Sequence, residues 1–450
     1  MDKGCVPKWM WAVLLLLHAT SFAWALHSGH WRFQDSGRYR QTAVNLVTKG
    51  QLYAQPWPAI APRGQAVEEF TIRPVGYPFV LAVLGGSQGF PWLVLLLQNC
   101  LSFSVLGWML NWWARIGRPQ PGHWLGAVGL IIGFPAQVIY ANAVMSELPL
   151  QICLMAGIGS IALLRKTGDA RYGWAAAAAV TAALLLKPVC YPLAGVWLVG
   201  AGCFGWQQRR NTLMVAAMLP LVVVAGYMRW NEQRTGYFHF SSIAEINLLH
   251  YNAAGVVREV AGPVAEGAWV ASVVRAANGQ PNFATRQHFI RQQADSVLLT
   301  HAVVYARQHA LGMVALLLDP GRFDISEFLG LRPPAGGGLL GQVRAVGWVA
   351  AMRKLPLGLL GLLTFLTLGN FVRLALAIRG FYRLRQGPVE WQVGRWLAVG
   401  LLTYIALLTG PLGAARFLVP VWPLLFMLAL VGIKGPVSGP IKPMPRGCEA

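Results

Sequence analysis

The sequence predicts an all-α integral membrane protein of about ten transmembrane helices, and three observations carry that prediction. Apolar residues make up 56% of the 450 and charged residues only 12%, with a mean hydropathy of +0.49, beyond what a soluble domain carries. Several segments offer the roughly 20 apolar residues that a helix needs to cross about 30 Å of hydrocarbon. Lys and Arg then gather at alternate span ends, as expected when cationic loops stay on the cytoplasmic side.

Taken in order, the spans are expected near 9–27, 90–112, 122–142, 146–164, 173–188, 190–206, 211–229, 355–375, 395–411 and 415–433. Lys3 and Lys8 precede the first. Arg115 and Arg118 follow the second, Arg165, Lys166 and Arg171 separate the fourth and fifth, and Arg209 and Arg210 separate the sixth and seventh. Arg379, Arg383, Arg385 and Arg395 join the eighth and ninth, and Lys434, Lys442 and Arg446 fall in the tail, 434–450. With the N terminus inside, all of these share the cytoplasmic side. The chain thus reads as one polytopic domain over 1–450, with a first extracytoplasmic loop at 28–89 and a large one at 230–350. Ala23-Trp24-Ala25 has the small-residue pattern of a secretory cleavage site, but its segment is long enough to span and reads as an uncleaved anchor.

Both outer loops carry interfacial helices. Between Asp35 and Tyr53, Tyr39, Ala43, Leu46 and Val47 fall on one helical face and Arg40, Gln41 and Lys49 on another, which suits a helix lying along the membrane surface. Residues 284–318 alternate Arg286, Arg291 and Arg307 with Phe289, Ile290, Val297, Leu298 and Val304, again amphipathic, until Asp319-Pro320-Gly321 stops the pattern. Pro333-Pro334 and the glycines after it form a connection, and no short tandem repeat occurs.

A net charge of +21 does not point to nucleic acid, because much of it sits in the cytoplasmic loops, where anionic lipid is the ordinary partner. No helix-turn-helix, zinc finger or phosphate-binding glycine loop is present. The six cysteines are scattered without CxxC spacing and read as small apolar residues; the nine histidines show no metal-ligand spacing. His301 and His309, eight apart, could share a helix face, though a solvated or interfacial role is the plainer reading.

The chemistry-bearing motifs are short and ordered. Asp35-Ser36-Gly37-Arg38-Tyr39 follows the first span, Arg73-Pro74-Val75-Gly76-Tyr77-Pro78 re-enters the membrane, and Ser146-Glu147 opens a span. Lys187-Pro188 closes another, and Arg416-Phe417-Leu418-Val419-Pro420 opens the last. In that order and on one common side, they resemble the GT-C membrane glycosyltransferases, nearest to the dolichyl-phosphate-mannose protein mannosyltransferases and the bacterial aminoarabinose lipid A transferases. The resemblance covers most of the chain. It implies inverting transfer of a sugar from a polyprenyl-phosphate donor to a lipid, glycan or protein acceptor on the extracytoplasmic side, and composition with the short cytoplasmic tails leads us to expect a bacterial inner (plasma) membrane.

The residues suit that chemistry on their own grounds. Displacing a lipid phosphate from an anomeric carbon needs one base for the acceptor's proton. Glycoside hydrolysis uses two carboxylates because its leaving group must be protonated, whereas a phosphate leaves as a stable anion and wants cations. Asp35 is assigned as the base, and Arg73, Lys187 and Arg416, at the outward ends of three spans, as phosphate contacts. Tyr39 and Tyr77 are candidates to line the sugar pocket, and Glu147 to orient or cap.

Each assignment has a plainer rival. Asp35 also suits a helix N-cap, Arg73, Lys187 and Arg416 suit interface anchors, Glu147 suits a helix start, and the tyrosines suit an aromatic belt.

Two departures from the family stand out. Ser36 follows Asp35 where many relatives carry a second acid, so a divalent cation, though possible, lacks an adjacent carboxylate pair; Glu68 and Glu69 are the substitutes, or a solvated pair. The Trp-Trp-Asp motif of the oligosaccharyltransferases is absent. Two other classes stay open. A polysaccharide polymerase or ligase would use loop arginines such as Arg258, Arg275 and Arg286, and a transporter or flippase of lipid-linked sugars would show paired halves and a polar site at mid-membrane.

Overall fold

The structure, a computed structural model, describes residues 5–54, 72–331, 347–353 and 356–435. Helices account for its regular structure, and eight of them, among the described residues, are long and apolar enough to cross a membrane. The chain is an all-helical membrane protein.

The first five helices are α1 (Lys8–Ser28), α2 (Ser36–Lys49), α3 (Gly76–Val83), α4 (Trp92–Gly117) and α5 (Pro121–Ile132). They are followed by α6 (Ala136–Ala141), α7 (Glu147–Thr167), α8 (Ala170–Leu186), α9 (Leu193–Gln207) and α10 (Asn211–Thr235). The second long hydrophilic stretch contains α11 (Ile243–Asn247), α12 (Ala254–Asn278), α13 (Phe283–Thr300), α14 (Ala302–Leu318) and α15 (Arg322–Phe328). After α16 (Trp348–Arg353) come α17 (Leu357–Arg383), α18 (Val389–Thr409) and a final span over Ala415–Ile433 that ends in α19 (Trp422–Ile433).

Each expected span has a helical counterpart, but two depart from a plain crossing. The segment expected at 122–142 is two pieces, α5 and α6, broken at Gly133-Phe134-Pro135. Pro135 offers no N–H and disfavours a helical Phe134, so the ladder stops there. The Gly133 carbonyl lies 3.5 Å from Nη1 of Arg373, a buried arginine of α17 whose guanidinium also lies 4.9 Å from the Phe134 ring centroid. α8, at 17 residues, is shorter than the other spans.

The second loop holds more helix than its pattern announces. The amphipathic run 284–318 is two helices, because His301 leaves helical geometry (φ −119°, ψ 41°) between α13 and α14. His301 and His309 therefore do not share one helix, and His309 instead hydrogen-bonds the Leu407 carbonyl of α18 at 2.8 Å. α11 and α12 had no clear sequence signal; α12 is kinked at Gly262 (φ 88°), just before Pro263. Cys100, Cys153, Cys190 and Cys203 are free thiols, as expected, but Cys5 is disulfide-bonded, against the expectation.

Small residues let the spans approach closely, the usual basis of helix association in lipid. At Gly380 of α17 a Cβ would lie 1.8 Å from the Leu428 carbonyl oxygen, so only glycine fits against α19. Gly380→Ala should separate these helices and destabilise the bundle by about 1–3 kcal/mol, read as a lower thermal midpoint in detergent. An unchanged midpoint would show that the contact carries no load.

Candidate active site

Five ionisable side chains from segments far apart in sequence meet at one end of the bundle. Asp35 follows α1, Arg73 precedes α3, Glu147 opens α7, Lys187 ends α8, and Arg416 opens the final span. Arg73 Nη2 lies 2.5 Å from Asp35 Oδ1, and Arg416 Nη2 lies 2.5 Å from Asp35 Oδ2. Arg416 Nε donates to Glu147 Oε1 at 2.9 Å, and Lys187 Nζ donates to the same oxygen at 2.6 Å. Arg416 thus bridges both carboxylates, using Nη2 for Asp35 and Nε for Glu147.

The helix-cap reading of Asp35 is separable from the site reading here. Asp35 occupies the N-cap position of α2 and its carbonyl accepts the first helical bond, from the Tyr39 N–H at 3.2 Å, but its side chain caps nothing. Its carboxylate is spent on two arginines from elsewhere in the chain. Burial alone would raise the Asp35 carboxyl, yet the Arg73 and Arg416 charges outweigh it and hold the group well below the usual carboxylate range.

Local structure explains how the partners are aimed. Phe417 offers its ring to both Lys187 Nζ and the Arg416 guanidinium, each 5.4 Å from the centroid. Arg73 lies over Tyr39, its Cζ 4.9 Å from the ring centroid. Tyr39 meets Tyr77 edge to face at 4.9 Å, Tyr39 Oη shares a 3.0 Å hydrogen bond with Ser146 Oγ, and Tyr77 Oη donates to Gln98 Oε1 at 2.8 Å. Both tyrosines are fully buried, so they form the floor beneath Arg73 and Asp35. Gly76 brings this floor against α8: a Cβ there would lie 2.5 Å from the Leu185 carbonyl oxygen, two residues before Lys187.

Ser36 has a role that the absent second acid could not fill. Its hydroxyl donates to the Val144 carbonyl at 3.0 Å and accepts from the Phe33 N–H at 2.9 Å, while the Val144 N–H donates to the Trp31 carbonyl at 3.1 Å. These bonds stitch the Asp35 turn to the turn before Glu147. A carboxylate at position 36 could not donate to that carbonyl.

With this geometry in view, comparison with known proteins adds little. No family model matches the chain, and no curated protein does. Among solved structures the chain is similar to the crystal structure of ArnT from Cupriavidus metallidurans in the apo state, at 15% identity, covering 94% of this chain and 77% of that chain, with a TM-score of 0.34. At that TM-score nothing is carried from that protein to this one.

Glu68 and Glu69 lie outside the described residues. Among the described residues no three His, Cys, Asp or Glu side chains gather as a metal site. Three cations already surround Asp35 and Glu147, so these carboxylates are poorly placed to hold a divalent cation.

Sequence reasoning missed two further carboxylates beside the network, the buried Asp324 and the partly buried Asp319. Asp324 Oδ1 accepts from Tyr140 Oη at 2.7 Å, and Asp319 accepts from the Ala415 N–H at 2.8 Å, next to Arg416. Burial pushes the Asp324 carboxyl up to about 7, with the Tyr140 hydrogen bond acting the other way. Asp319 was legible only as part of a Pro-Gly stop, and Asp324 lay in a stretch without periodicity.

Proposed function

We propose that the chain is an inverting glycosyltransferase that moves a sugar from a polyprenyl-phosphate carrier to an extracytoplasmic acceptor, in the manner of the GT-C enzymes its motifs resemble. The observation that supports this most is the sharing of Arg73 and Arg416 by Asp35, inside a network of three cations and two carboxylates. That network holds an excess positive charge at one end of the bundle, which suits a phosphate anion. Two of its buried polar atoms, Arg73 Nε and Glu147 Oε2, have no hydrogen-bond partner, a costly condition that a bound ligand would relieve.

The resting arrangement also suggests an order of events. Asp35 clamped by two guanidiniums is a weak base. A donor phosphate competes for the same guanidiniums, and once they turn to it the Asp35 carboxyl loses the charges that hold its pKa down. The acceptor oxygen then bonds to the anomeric carbon as the bond to the phosphate oxygen breaks. The acceptor's proton passes to Asp35, and the polyprenyl phosphate leaves as an anion held by Arg73, Lys187 and Arg416. A single displacement of this kind inverts the anomeric carbon.

Membranes containing the protein, supplied with a radiolabelled polyprenyl-phosphate sugar, should pass label to a second molecule with the opposite anomeric configuration. Label that crosses the bilayer while still attached to its lipid, with no transfer to any acceptor, would replace this reading with a carrier.

A further inference from the structure

The face of α2 turned away from Asp35 borders a different feature. At 100° per residue, Ser36, Arg40 and Val44 lie on the side of α2 opposite Asp35 and Thr42. There a cavity of about 610 Å³ opens between the end of α1 and the turn before α4, its wall including Leu26, Trp31, Arg32, Arg40 and Phe90. A second hollow of about 300 Å³ shares Arg32 and Arg40 and runs along α2 past Gln41.

Two guanidiniums are gathered on one ring: the Cζ atoms of Arg32 and Arg40 lie 4.8 Å and 5.0 Å from the Trp31 centroid. Trp31 is itself buried and edge-on to Phe90 at 5.5 Å, so the ring is a fixed platform. Arg40 is fixed too, with Nη2 donating to the Gly89 carbonyl at 2.6 Å and Nε to the Gly86 carbonyl at 3.3 Å. Arg32 is exposed and makes no hydrogen bond or ion pair among the described residues. No carboxylate lines either hollow. Burial, and then the charge of Arg32, lowers the pKa of Arg40, as two like charges held close without a counter-charge require.

The rim says what kind of anion fits. Leu26 and Phe90 are exposed, and Trp92 and Leu93 beside them at the start of α4 are exposed as well. Because α1 and α4 are spans, this rim meets the acyl layer, and a ligand seated here has a charged head and a hydrocarbon tail. We propose that this cavity binds the phosphate headgroup of an anionic membrane lipid, with Arg32 and Arg40 on the phosphate and Leu26, Phe90 and Trp92 along the first part of the chains. The site lies across α2 from Arg73 and Arg416. It concerns lipid binding, and holds whether or not the chain transfers a sugar.

Native mass spectrometry of the full chain in mild detergent, titrated with phosphatidylglycerol or phosphatidylcholine, tests this. The parent should retain phosphatidylglycerol in preference, Arg32→Gln should weaken that retention about fivefold, and Arg32→Glu about tenfold or more. Arg385→Glu makes the same charge change at the far end of α17 and should leave retention unchanged. Thermal midpoints of the Arg32 variants should show no large loss, since Arg32 is exposed and has no hydrogen bond or ion pair to lose among the described residues. Equal retention of both lipids by the parent, or equal losses from Arg32→Glu and Arg385→Glu, would overturn the cavity as a lipid site. Displacement of the lipid by equimolar inorganic phosphate would overturn the lipid as its occupant.

Discussion

Asp35→Asn should lower kcat for sugar transfer by about 10²–10⁴-fold, the usual contribution of a positioned base, while the donor binds no more weakly than before. The two effects separate because Asp35 plays two parts. As a base it acts only in the transition state, so its loss falls on kcat. As the resting partner of Arg73 and Arg416 it competes with the donor phosphate, so removing its charge should lower KM for the donor. Asparagine keeps an oxygen that can accept one guanidinium and leaves α2 intact, since the Asp35 side chain caps no N–H of the helix. A variant with unchanged kcat would remove Asp35 from the chemistry. One with unchanged kcat and a raised KM would make it a binding residue only.

The same competition sets a pH signature. The folded-state pKa of Asp35 is depressed, so the stability from its pairing is fully present above the ordinary carboxylate pKa and is lost progressively as pH falls from there through the lower folded value. In the free protein, the acid limb of kcat/KM that belongs to Asp35 should lie below the normal carboxylate range. In the donor complex, where the phosphate has taken the guanidiniums, the acid limb of kcat should move up. Coincident limbs would mean that Arg73 and Arg416 stay on Asp35 throughout.

Glu147, Lys187 and Arg416 were legible because each stands at the end of an apolar stretch, where a charge is conspicuous, and Asp35 and Arg73 because they sit in short motifs within the loop expected at 28–89. Their mutual contacts were not. Nothing in the spacing of residues 35, 147 and 416 says that Arg416 bridges both carboxylates, because that depends on how three spans pack. Tyr39 and Tyr77 show the same limit: an aromatic near a span end fits a sugar pocket or an interface belt, and only packing shows a buried floor under Arg73. The break at Gly133-Phe134-Pro135 was written in the sequence, since Pro135 cannot continue a helix ladder, but a hydropathy window averages over it. α11 and α12 were missed for the opposite reason, as their mixed composition has no clear period and their packing against α13 decides them.

The largest stability effect should come from Glu147, whose side chain is fully buried and whose Oε1 receives both Lys187 and Arg416. Glu147→Ala leaves the buried Lys187 ammonium without its counter-charge, and removing one partner of a buried pair costs about 3–5 kcal/mol. The double change Glu147→Gln with Lys187→Met removes both charges at similar volume and leaves an amide oxygen for Arg416 Nε, so its thermal midpoint in detergent should return toward the parent's. Transfer should not return with it, because Lys187 is proposed to hold the donor phosphate, and an uncharged side chain there should raise KM for the donor. A double variant that melts no higher than Glu147→Ala would show that the unpaired ammonium is not the source of the loss. One that melts like the parent and transfers sugar with the parent's KM would take Lys187 out of the phosphate site and leave Arg73 and Arg416 to hold the donor alone.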